Sequence, residues 1–141
     1  MSKFYITTPI YYVNAPPHLG HAITSILADI VARYHRLSGK EVFFLTGTDE
    51  HGAKILRASE KAGREVSSFV AEIRESFRNL SPALNLSNDD FIYTPDRKRH
   101  WPGAQKLWQK LKEAGDIYKG KYKGFYCVGH EAFVTEKDLV N

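Results

Sequence analysis

The sequence predicts an α/β fold built on a parallel sheet, and three observations carry that expectation. Apolar strand-like runs alternate with helix-period segments. The first such strand–helix–strand unit closes within 46 residues, which leaves room only for a crossover between parallel strands. Past residue 115 the pattern changes to short aromatic runs broken by Gly120, Gly124 and Gly129, as in hairpins.

Lys3 to Thr8 reads as a buried strand, and His18 to Ser38 as a long helix. Leu19, Ile23, Leu27, Ile30, Tyr34 and Leu37 form its apolar stripe, expected to face the core, and Gly39 stops it. Val42 to Thr46 is a wholly apolar second strand, so a sheet covered on both faces is expected. Gly47 to Gly52 reads as a turn and Ala53 to Ala62 as a helix ended by Gly63. Val66, Phe69, Val70, Ile73, Phe77 and Leu80 recur at helical spacing before Pro82 closes the segment. Phe91 to Tyr93 is a third strand. Arg97 to Ala114 is a further helix, with Asp96 as its N-cap and Gly115 as its terminator. The predicted boundary lies near residue 115, dividing the chain into 1–115 and 116–141.

Composition narrows the function classes. A hydrophobic fraction of 43% with 26% charged residues is that of a globular domain, and there is no apolar run of about 18 residues to cross a membrane. Met1-Ser2-Lys3 leads directly into a strand without a signal core, and Cys127 is the single cysteine. A cytoplasmic address is therefore expected. The net charge of +4 permits nucleic-acid contact without requiring it. Arg97 to His100 and Lys119 to Lys123 concentrate the basic residues. Each reads either as a solvated face or as a track for a phosphate backbone with bases stacked on its aromatics.

The chemistry concentrates in two loops. Thr7 to His21 joins a strand to a helix whose start carries His18, Gly20 and His21. A helix start offers unpaired N–H groups and a positive dipole end to an anion, and histidines three apart share one face, so a triphosphate is the expected ligand. The second loop, Thr46 to Gly52, follows the second strand with Asp49, Glu50 and His51. Asp49 there can pair with an ammonium group or a ribose hydroxyl, or simply cap the next helix. In open α/β sheets both loops fall at the ligand-binding carboxyl edge. A metal held by His18 and His21 with His51 brought near is an alternative. The phosphate loop ending in Gly-Lys-Ser/Thr and the Gly-x-Ser-x-Gly elbow are both absent, which removes two common enzyme classes.

Pro17-His18-Leu19-Gly20-His21 resembles the first signature of class I aminoacyl-tRNA synthetases, whose four-residue His-x-Gly-His part, here His18 to His21, nucleotidylyltransferases share. The surroundings resemble methionyl-tRNA synthetases of bacterial type. The supporting segments are Phe4 to Asn14, Phe43 to Gly52, Gly115 to Tyr118 and Gly124 to Val128, in the family's order along nearly the whole chain.

The resemblance implies a Rossmann-like catalytic half over 1–115 and the start of a hairpin-rich connective peptide insertion over 116–141. It implies ATP-dependent activation of L-methionine to methionyl-adenylate, with Mg²⁺ accompanying ATP, and transfer to tRNA(Met). By the same resemblance His18 and His21 hold the triphosphate and its transition state. Gly20 makes room for adenine, Asp49 takes the methionine ammonium, and Pro9, Ile10 and Tyr12 line the amino-acid pocket. The family's Lys-Met-Ser-Lys-Ser loop does not occur in these residues. The 141-residue chain alone is accordingly expected to give no ligase turnover, the remainder of a synthetase chain being needed for a complete site. Cys127-Val128-Gly129-His130 has the spacing of half a zinc knuckle. Glu131-Ala132-Phe133 follows it as in the zinc-free branch, so zinc is not expected. Other readings are a class I synthetase for leucine, isoleucine, valine or cysteine, and a non-catalytic nucleotide-binding module derived from one.

Overall fold

A computed structural model describes residues 2–135 and 137. The elements in order are β1 (Lys3–Thr7), β2 (Tyr11–Tyr12), α1 (Leu19–Leu37), β3 (Glu41–Asp49), α2 (Ala53–Lys61), α3 (Val66–Arg78), α4 (Leu80–Ala83), β4 (Asp90–Tyr93), α5 (Trp101–Glu113), β5 (Phe125–Cys127) and β6 (Ala132–Val134). The chain divides into two compact units, 1–103 and 104–141, with α5 running across the division.

In the first unit β3 is the central strand. β1 pairs parallel with it from Lys3↔Glu41 to Thr7↔Leu45, and β2 continues along the same edge with Tyr11↔Thr48 and Tyr12↔Asp49. Between Thr7 and Tyr11 the chain advances four residues against three on β3, so a bulge separates the two strands. Pro9 sits in that bulge, where its missing N–H removes no ladder bond. β4 pairs parallel with the opposite edge of β3, from Leu45↔Asp90 to Thr48↔Tyr93.

β3 runs three residues further than the apolar pattern predicts, so Gly47, Thr48 and Asp49 belong to the strand rather than to a turn. Pairing on both edges extends it, and Gly47 permits the pairing. A Cβ at that position would lie 2.1 Å from the carbonyl oxygen of Ile92.

One face of the sheet is covered. Ala28 and Ala32 of α1 pack on Phe44 with Ile6 and Val42. Phe69, Val70, Ile73 and Phe77 of α3 close over Tyr11, Val13, Ile55 and Phe91. On the other face Tyr5 and Phe43 stack with ring centroids 5.9 Å apart and remain exposed, which corrects the expectation of a sheet covered on both sides.

The predicted helices form, but α1 buries a different face. Its buried residues are Ser25, Ala28, Asp29 and Ala32, at i, i+3, i+4 and i+7. Small side chains there let the helix axis approach the sheet closely. Leu19, Ile23, Leu27, Ile30, Tyr34 and Leu37 point outward, with Leu19 81% and Leu37 90% exposed. The buried Asp29 accepts hydrogen bonds from the Ser87 amide and hydroxyl and from Arg33 Nε. Burial pushes its carboxyl up, yet those bonds hold it below its ordinary value. The Asp89 carboxylate pairs with Arg36 and accepts the Phe44 amide at 2.7 Å, so one polar seam ties α1 to the loop before β4.

α5 begins four residues later than predicted. The Asp96 carboxylate instead caps the preceding turn, accepting from the amides of Lys98 and Arg99 at 2.9 and 3.0 Å. Gly115, at φ +84°, follows α5 in the left-handed region where a helix terminator is expected.

The second unit contains the predicted hairpin. β5 and β6 pair antiparallel with Tyr126 opposite Phe133, and Tyr122 and Tyr126 both meet the Phe133 ring edge-on. Glu131 has φ +53° in the connecting turn.

Candidate functional site

Four parallel strands end at one edge of the sheet, and the predicted site residues stand along it. His18 is the N-cap of α1. Its Nδ1 accepts the Gly20 amide at 3.1 Å, while Nδ1 of His21 accepts the His18 amide at 3.1 Å. Two histidines thus make a reciprocal capping box, a role usually filled by a hydroxyl and a carboxylate. Their ring centroids are 4.0 Å apart.

This differs from an open cradle of backbone N–H groups, because the imidazoles consume two of those donors. What they offer in exchange follows from the tautomer. A neutral imidazole that accepts through Nδ1 carries its proton on Nε2, so each ring presents an Nε2–H donor. His21 also lies edge-on to Tyr11 and Phe77, with centroids 5.0 Å away in both cases. Burial in that aromatic corner lowers its pKa below the ordinary 6.5, and the charge of His18 adds to the lowering. Gly20 serves the cap directly. A Cβ there would meet His18 Cε1 at 2.8 Å and displace the ring.

The second loop is tied to the first through β2, which the sequence reading missed. Tyr11 turns to the helix side. Its hydroxyl shares a hydrogen bond with Ser25 Oγ at 2.7 Å, and its ring stacks on Phe77 at 5.3 Å. Tyr12 turns the other way, opposite Asp49 in the register. One dipeptide therefore links the histidine pair to the carboxylate. Pro9 and Ile10 are exposed in the adjoining bulge.

Asp49 is half-buried at the end of β3. Its Oδ1 receives the His51 amide at 3.4 Å and the Thr94 hydroxyl at 3.5 Å. The next residue, Glu50, has a fully buried side chain. Its two oxygens accept Arg74 Nε and Nη2 at 2.7 and 2.8 Å, and Oε1 also accepts the Thr48 hydroxyl at 2.7 Å. Arg74 lies over the Tyr93 ring at 4.3 Å. The sequence marked Glu50 only as a loop carboxylate and Arg74 not at all, since a charge on an amphipathic helix looks solvated.

The metal readings find little support. Among the described residues no three His, Cys, Asp or Glu side chains gather as metal ligands, so His51 does not complete a site with His18 and His21. In the second unit Cys127 Sγ lies 3.1 Å from His130 Nδ1, and hydrogen bonds involving His130, backbone first, hold the thiol below its ordinary value. Cys127 and His130 thus supply two of the four ligands that a structural zinc takes. Among the described residues no helix is long and apolar enough to cross a membrane.

The family model described as tRNA synthetases class I (M) matches residues 4–140. The chain is 53% identical to a methionine–tRNA ligase of Thermotoga maritima and 51% identical to one of Rickettsia bellii. Each match covers 98% of this chain but only 22% and 27% of those relatives. A solved Mycobacterium tuberculosis methionyl-tRNA synthetase in complex with methionyl-adenylate superposes with a TM-score of 0.90 at 42% identity. That match covers 98% of this chain and 27% of the other. With that family model spanning nearly all of it, the chain belongs to the class I (M) tRNA synthetase family.

Proposed function

We propose that residues 1–115 supply the first half of a site that activates L-methionine with ATP, for transfer to tRNA(Met), and that 116–141 begin a connective insertion. The observation that carries this is the two-histidine capping box, joined through Tyr11-Tyr12 to Asp49 at the same sheet edge.

A methionine carboxylate is ionised at neutral pH, so it attacks the α-phosphorus without a general base. One P–O bond forms to the carboxylate oxygen, the bond to the bridging oxygen breaks, and pyrophosphate leaves with Mg²⁺ that arrived with ATP. The chain's task is to position the reactants and to stabilise charge. His18 and His21 donate Nε2–H to the phosphates, and because Nδ1 of each ring is engaged by a backbone amide, the donor positions are set before substrate arrives. The α1 dipole adds a positive end. Gly20 leaves the adenine room, Asp49 pairs with the ammonium, and Pro9, Ile10 and Tyr12 offer apolar and aromatic surface to the thioether. Cytoplasmic work is proposed on the single cysteine and the basic, globular composition. No step is assigned to zinc.

Methionine-dependent ATP–pyrophosphate exchange tests the reading in a complete synthetase chain carrying these residues. His18→Ala and His21→Ala are each expected to lower the rate by about 10²–10³, the usual loss for one transition-state donor. Asp49→Ala is expected to raise the KM for methionine and leave that for ATP near its starting value. Wild-type exchange rates in the histidine variants sink the assignment. The 141-residue chain by itself is expected to show no exchange.

A further inference from the structure

We propose that Thr94, held by the buried Glu50–Arg74 pair, is a positioning residue that orients the Asp49 carboxylate for the substrate ammonium. The inference rests on the assignment of Asp49 above and adds a residue from a different strand.

Asp49 ends β3, so the ladder does not continue beyond it, and its carboxylate needs another restraint to keep one orientation. The Thr94 hydroxyl supplies it. Its oxygen accepts the Glu50 amide at 2.9 Å, which directs its hydrogen away from Glu50 and toward Asp49 Oδ1, 3.5 Å distant. Such contacts are often long before substrate binds and shorten in the complex.

Thr94 is itself fixed on three sides. Its amide donates to the Thr48 carbonyl at 3.2 Å, and its carbonyl accepts His100 Nδ1 at 2.9 Å and Trp101 Nε1 at 3.1 Å. Glu50 is held more firmly still, by two bonds from Arg74 and one from Thr48, so its amide cannot swing away from Thr94. The result is a chain of contacts from a buried bidentate ion pair to the exposed edge of the site. Surface capping would not require a buried anchor.

The test uses a complete synthetase chain carrying these residues. Thr94→Val keeps the branched shape and removes the hydroxyl. It is expected to raise the KM for methionine roughly tenfold, the loss of one hydrogen bond to a charged group, with the KM for ATP unchanged and the melting temperature lowered by the Glu50 amide left without its acceptor. Thr94→Ser should restore the wild-type value. A methionine analogue lacking the α-amino group, 4-(methylthio)butanoate, should inhibit wild type and Thr94→Val equally, because it has no ammonium to orient. An unchanged methionine KM in Thr94→Val overturns the proposal, as does an equal loss of affinity for the deaminated analogue. Asp49→Ala separates the two readings. If it raises the methionine KM while Thr94→Val does not, only the role of Thr94 falls; if it leaves that KM unchanged, both fall.

Discussion

Tyr12 stands opposite Asp49 in the parallel register of β2 and β3, while Tyr11 stands opposite Thr48. Paired residues in a ladder share a sheet face, so the two adjacent tyrosines face opposite sides. Tyr11 is buried under α1 and α3; Tyr12 is only partly buried and still packs against that core. Their substitutions should separate accordingly. Tyr11→Ala removes a buried ring stacked on Phe77 and is expected to destabilise the fold by about 3–5 kcal/mol in urea unfolding. Tyr12→Ala should cost less stability than Tyr11→Ala and raise the methionine KM.

His21 provides a test by pH. Burial, with the charge of His18 second, lowers its pKa, so its titration by NMR should centre below 6.5. The His18→Ala variant should move it part of the way back, since burial remains. Below about pH 6.5 the unfolded chain takes up a proton that folded His21 resists. Its contribution to stability is therefore full above that pH and is lost as pH falls toward the folded value. Protonation also ends the acceptor role of Nδ1 toward the His18 amide. The capping box should thus open over the same range, seen as loss of protection of that amide from exchange.

These two histidines also show how far the sequence could be read. Their place at a helix start was legible because strand, proline and helix signals are local. Their use of Nδ1 as acceptors was not, because a capping box with imidazole on both arms has no propensity signature. The parallel pairing of β1 with β3 was legible from the short crossover, and the α3 core from periodicity at Phe69, Val70, Ile73 and Phe77. The buried face of α1 was not. Ser25, Ala28, Asp29 and Ala32 are individually weak hydrophobic signals, and it is close approach to Phe44 that selects them. The pairing of Glu50 was equally hidden, since its partner lies 24 residues away on α3.

The Glu50–Arg74 pair should behave as a buried ion pair and not as a surface bridge. Glu50 is fully enclosed and Arg74 keeps only 21% of its side chain exposed. Arg74→Met strands a buried carboxylate and is expected to cost about 3–5 kcal/mol, well above the median of a surface pair. Glu50→Gln with Arg74→Met together should lose less than the sum of the two single changes, because the stranded charge is gone. A double-mutant cycle by denaturant unfolding reads the difference. Additive losses contradict the pairing.

The outward stripe of α1 carries the last expectation. Leu19, Ile23, Leu27, Ile30, Tyr34 and Leu37 form a continuous row along one side of a helix of 19 residues. Apolar rows of that length on a monomer mark contact surfaces, and Tyr5 with Phe43 adds a second exposed apolar site on the open sheet face. The first unit already has its core on the opposite side of α1, through Ala28 and Ala32, so the row is surplus to its folding. The purified 141-residue chain should therefore bind the dye ANS while keeping a cooperative unfolding transition. Replacing Ile23, Leu27 and Ile30 with Glu should abolish dye binding and leave the transition within about 1 kcal/mol of wild type, as surface substitutions do. A collapse of the fold on those substitutions would place the row in the core after all.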